Sequence, residues 1–60
     1  MKVEVKFKDL ETSDVNTIIF KGDCVWFQQN SQCLFINSEE KSARMDYDIV
    51  DIIDIKFLEI

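Results

Sequence analysis

From Lys2 to Lys8 the chain alternates without a fault, with Val3, Val5 and Phe7 on one parity and Lys2, Glu4, Lys6 and Lys8 on the other. Successive side chains of a strand point to opposite faces, so this run dictates a strand with one apolar and one wet face, a period that no α-helix satisfies. Strands of that kind belong to antiparallel sheets. The rest of the chain must therefore supply partners that cover Val3, Val5 and Phe7.

It offers several. Leu10 falls out of phase with the first strand, and Glu11-Thr12-Ser13-Asp14 is turn chemistry. Val15 to Lys21 is rich in β-branched residues and reads as a second strand, broken by Gly22-Asp23, where glycine can take a positive φ. Cys24 to Gln29 and Gln32 to Asn37 read as a hairpin joined at Asn30-Ser31, with bulky apolar residues on both faces. A hairpin of that kind lies inside a barrel or sandwich, or keeps one face for a partner. After the charged loop 38–42, Ala43 to Tyr47 reads as a fifth strand.

The last stretch, Arg44 to Ile60, interleaves apolar residues with aspartates. As a strand it places Ile53, Ile55 and Phe57 on one face and Asp54 and Lys56 on the other, so Tyr47, Ile53, Ile55 and Phe57 are expected to close the core. Asp48 is a candidate N-cap for one helical turn through Ile49-Val50-Asp51. A full helix over Tyr47 to Ile55 is the competing reading, with Ile49, Ile52 and Ile53 at helical spacing; the β-branched content favours the strand. The expected fold is all-β, one domain over residues 1–60. Five to six strands form a small antiparallel meander or an SH3-like or Sm-like barrel, with room for one short helical turn before the last strand.

Composition bounds the function. At 60 residues, folding buries only about 60% of the surface of the unfolded chain. Stability is marginal, and self-association would help. No stretch approaches the roughly 18 apolar residues that span a bilayer, and MKVEVKFKD is not a signal-peptide core, so no membrane role and a cytoplasmic location are expected. The net charge is −5 with no histidine, which disfavours direct nucleic-acid binding. The excess is concentrated late, where Lys41, Arg44 and Lys56 stand against Glu39, Glu40, Asp46, Asp48, Asp51, Asp54 and Glu59.

No catalytic signature emerges. The spacing of Asp46, Asp48, Asp51 and Asp54 lacks the glycine and terminal glutamate of a calcium loop, so neither metal nor cofactor is expected. With no histidine or glycine-rich loop to assemble them, the serines, cysteines and carboxylates do not suggest an enzyme. A two-residue turn at Asn30-Ser31 sets Cys33 opposite Gln28 and Cys24 opposite Asn37, too far apart for a disulfide, and two free thiols are expected. Trp26, Phe27 and Phe35 read first as core aromatics. With one hairpin face exposed, Trp26 and Phe35 become interface anchors.

The function expected is a protein–protein interaction module. In its specific form it is a small acidic inhibitor or modulator that covers a basic, nucleic-acid-binding surface of a partner protein, with Glu39, Glu40, Asp46, Asp48, Asp51 and Asp54 as the contact. Viral or plasmid origin is compatible with that class. The alternative is a homo-oligomer assembled through the aromatic hairpin from Cys24 to Ile36.

Overall fold

The computed structural model describes residues 1–58 and contains six strands: β1 (Lys2–Asp9), β2 (Val15–Lys21), β3 (Val25–Gln29), β4 (Cys33–Ser38), β5 (Ser42–Asp46) and β6 (Val50–Leu58). The all-β expectation holds. The strands form two antiparallel three-stranded sheets, ordered β2-β1-β6 and β3-β4-β5. The expected continuous meander is therefore interrupted, because β2 does not pair with β3 and β6 returns to β1. Among the described residues the sheets do not close into a barrel.

The interruption has a local cause. Gly22 takes a φ of +149°, and the Glu39 carboxylate, from the β4–β5 loop, accepts the N–H groups of Asp23 at 2.9 Å and Cys24 at 3.0 Å. The β2–β3 turn is clipped to the second sheet, so the chain leaves the plane of the first sheet there. Only glycine adopts that backbone freely, and an added Cβ would overlap Glu39 Oε2.

The two inner faces meet over Val3, Val5, Phe20, Leu34, Ile36 and Met45, all buried. Full burial of a large side chain such as Phe20 or Ile36 contributes about 1.5–3 kcal/mol. Phe7, Ile18, Val25, Phe27, Tyr47, Val50, Ile52 and Ile55 pack around them.

The β1–β6 ladder carries an irregularity that changes the expected core. Lys6 opposes Asp54, and Phe7 opposes Ile52, so Ile53 has no opposite residue. One extra residue in a strand reverses the facing of everything beyond it. Val50 and Ile52 therefore join Ile55 against the core, whereas Ile53 is 48% exposed. Phe57 lies opposite buried Val3 but at the open margin, 64% exposed, with its ring edge-on to Phe27 of the other sheet at 5.9 Å. Of the residues expected to close the core, Tyr47 and Ile55 pack on it, and Ile53 and Phe57 do not join it.

Two turns also differ from expectation. Residues 47–49 form a reverse turn closed by Ile49 N–H to Asp46 C=O at 3.0 Å, and Asp48 caps no backbone group among the described residues. The β-branched run that follows enters β6 at once, leaving no room for the helical turn. In the β3–β4 hairpin, Asn30 Oδ1 accepts the N–H groups of Gln32 at 2.8 Å and Cys33 at 2.9 Å, and Asn30 N–H donates to Cys33 C=O at 3.1 Å. This side-chain turn lengthens the loop, so Phe35, not Cys33, stands opposite Gln28. The shift is two residues, which preserves the faces. Both thiols are free, Cys24 exposed and Cys33 buried.

Candidate functional site

The six carboxylates expected to form one acidic surface lie in three places. Asp51 and Asp54 sit on β6 across from Lys8 and Lys6 of β1, and Glu4 sits across from Lys56. Opposite charges directly across a ladder stabilise it by roughly 0.2–1 kcal/mol each. The outer face of this sheet is thus a chequerboard, and with Lys2 and Lys21 also paired there, its lysines outnumber its acids. Lys2 and Glu4 approach to 4.0 Å along the same strand.

Glu39 and Glu40 belong to the β4–β5 loop at the opposite end from Asp48. Glu39 is occupied by the backbone of the β2–β3 turn, so its role is structural. Beside it Lys41 Nζ lies 5.9 Å from the centre of the Phe20 ring.

Asp46 and Asp48 remain, and the fold brings them to an end built by three connections. Leu10 N–H donates to Ile49 C=O at 2.9 Å, tying the β1–β2 loop to the β5–β6 turn, and Tyr47 N–H donates to Gln32 C=O at 2.9 Å, tying that turn to the β3–β4 loop. Asp9, Glu11, Asp14, Asp46 and Asp48 therefore gather at one end, with Arg44 and Lys8 as neighbouring bases. Two of the five are committed. Asp9 Oδ1 accepts the N–H groups of Glu11 at 2.8 Å and Thr12 at 3.3 Å, and Asp46 Oδ1 accepts the Arg44 Nε–H at 2.7 Å. The Arg44 pKa is raised above its ordinary value, first by that hydrogen bond and then by the Asp46 charge. Glu11, Asp14 and Asp48 are exposed, and their carboxylates have no partner among the described residues.

Two aliphatic side chains stand among these acids. Leu10 is 50% exposed and Ile49 51% exposed, and their backbones are hydrogen-bonded to each other. Next to them an open depression of about 690 Å³ is lined by Ser31, Gln32, Arg44, Asp46, Tyr47, Asp48 and Ile49. Leu10, Glu11, Asp14 and Ile49 were not among the expected contact residues. The available signal was Leu10 itself, an apolar residue out of phase with its strand and followed by a polar turn.

Trp26 and Phe35 lie on the outer face of the second sheet, because Val25, Phe27, Leu34 and Ile36 take the inner one. Trp26 is 45% exposed, and Phe35 is half-covered by the Arg44 guanidinium, 5.5 Å from its ring centre. Phe27 alone of the three hairpin aromatics packs on the core as expected. Among the described residues no three His, Cys, Asp or Glu side chains converge as a metal would require, and no helix is long and apolar enough to cross a membrane. No family model, no curated protein and no solved structure matches the chain.

Proposed function

We propose that the protein is a non-enzymatic interaction module whose acidic end docks on a basic protein surface and competes there with nucleic acid. One observation carries this reading. Leu10 and Ile49, joined backbone to backbone and half-exposed, are next in sequence to Glu11 and Asp48, the β1–β2 turn brings the Asp14 backbone back to Asp9, and the carboxylates of Glu11, Asp14 and Asp48 have no partner among the described residues. Apolar side chains within a rim of one charge are the usual anatomy of a docking patch, where the apolar centre contributes affinity and the rim contributes steering. The depression has room for a lysine or arginine side chain from the partner, next to the Asp48 carboxylate, which would pair with it, Asp46 being held by Arg44.

The test is affinity capture from the source cell with wild type and with the triple variant Glu11→Lys, Asp14→Lys, Asp48→Lys, washed over a range of salt. A basic partner retained by wild type at low salt, released at high salt and lost by the triple variant is the expected outcome. Equal retention by both proteins at every salt concentration overturns it.

A second reading rests on the outer face of the β3-β4-β5 sheet. Trp26 stands exposed there and Phe35 half-buried under Arg44; Trp and Arg are among the residue types that dominate interface hot spots, and a homo-oligomer assembled through that face would use them. Trp26→Ala would then lower the mass measured by light scattering.

A further inference from the structure

We propose that the free edge of β6 pairs with the β6 edge of a second copy, antiparallel, about a two-fold axis centred on Ile55. The resulting six-stranded sheet would run β2-β1-β6 and then the same strands of the partner in reverse. This goes beyond the docking reading, and it uses neither the acidic end nor the aromatic outer face.

β6 is the longest strand, at nine residues, and forms the edge of its sheet. Its backbone pairs with β1 on one side, and among the described residues nothing is hydrogen-bonded to the other. Such an edge is a template for another strand unless a bulge or unmatched charge blocks it; here the irregularity is confined to Ile53, and Asp54 and Lys56 must find opposite charges. Two exposed large apolar side chains, Ile53 and Phe57, flank Ile55 on this strand. A small domain has reason to cover them.

Within Val50–Leu58, charge complementarity selects the register. The two-fold must stand perpendicular to the sheet to keep both core faces on the same side, so it passes through a residue. Centred on Asp54 it sets that carboxylate against its own copy, and centred on Lys56 it sets two ammonium groups together. Centred on Ile53 it leaves Asp54 opposite the partner's Ile52. Centred on Ile55 it places Asp54 opposite the partner's Lys56 and Lys56 opposite the partner's Asp54, around a central pair of isoleucines. The same register brings Phe57 beside the partner's Ile53. Asp54 and Lys56 are both exposed, so nothing must be uncovered first.

The test uses two single variants, Asp54→Lys and Lys56→Asp. Each is self-repelling in this register, yet a one-to-one mixture restores both complementary pairs across the interface. In sedimentation over a concentration series, wild type forms a dimer, each variant alone dimerises at least about tenfold more weakly, and the mixture forms a heterodimer. Inside each chain the new side chains face Lys6 and Glu4 respectively, a cost that mixing does not relieve. Recovery on mixing therefore reports the interface alone. A wild type that stays monomeric at millimolar concentration, variants that dimerise like wild type, or a mixture that fails to associate each overturns the proposal. Dimerisation unchanged by Trp26→Ala and by the triple variant of the acidic end separates this contact from the other two surfaces.

Discussion

Replacing Gly22 by alanine tests the clip that divides the chain into two sheets. The φ of +149° at this position is one that L-residues avoid, and holding alanine there costs roughly 1–3 kcal/mol. The new Cβ would also overlap Glu39 Oε2 and come within 2.9 Å of its Cδ, so the carboxylate must withdraw from the N–H groups of Asp23 and Cys24. A side chain that accepts free backbone N–H groups at a chain turn is comparable to a helix cap, worth about 1 kcal/mol at an exposed site. Together the loss is about 3 kcal/mol. For a chain of this length the whole stability is on the order of 3–9 kcal/mol, so the variant is severely weakened. Urea unfolding followed by the fluorescence of Trp26 should show the midpoint fall with little change of slope.

The cycle with Glu39→Ala is more incisive. Glu39→Ala alone loses the clip, about 1 kcal/mol, and also removes the atoms that alanine at position 22 would strike. In that background Gly22→Ala should cost only its backbone strain, so the double variant falls about 1 kcal/mol short of the sum of the singles. An additive double variant, or Gly22→Ala within about 0.5 kcal/mol of wild type, refutes the reasoning.

Two further expectations concern the core and its margin. Ile52→Asp, which sets a charge against the core, should cost more than about 2 kcal/mol, whereas Ile53→Asp, on the unpaired residue of the β6 irregularity, should cost under about 1 kcal/mol by urea unfolding; the reverse order would restore the regular strand. An aromatic disulfide reagent should modify Cys24 in the folded protein and Cys33 only with unfolding, and equal rates for the two thiols would show that Cys33 is not covered as described.

The strands were legible because alternation is a local property of the sequence. The first five lie within about one residue of their expected limits, the sixth begins inside the stretch expected to turn helically, and the single glycine marks the turn that redirects the chain. Sheet membership is not local. Nothing within β6 states that its partner is β1, more than forty residues earlier, because either sheet could cover an apolar strand of that length. The irregularity in β6 did leave a trace. Between Asp51 and Asp54 stand two adjacent isoleucines where strict alternation permits one, so one of them is surplus. Strict alternation back from Ile55 and Phe57 selects Ile53, whereas the pairing with Phe7 selects Ile52. The hairpin turn was misjudged for a different reason. Asn30 closes it with its side chain, and Asn-Ser serves equally well in the shorter turn.

Charge was the least legible feature, and distance explains why. Salt screens surface charges beyond about 8–10 Å, so only near neighbours add to one another. Adjacent strands lie about 4.8 Å apart, well inside that range, and Asp51 and Asp54 are therefore offset by Lys8 and Lys6 despite belonging to the most acidic part of the sequence. The eight residues of β1 span about 26 Å, well outside it, so Glu39 and Glu40 cannot reinforce Asp48 from the other end. Glu11 and Asp14, more than thirty residues before Asp48, do reinforce it, because the Leu10 to Ile49 hydrogen bond holds their loops together. A sequence tally places the acidic surface in the C-terminal half. Among the described residues, the fold instead assembles the unpaired part of it from both halves, beside two aliphatic side chains.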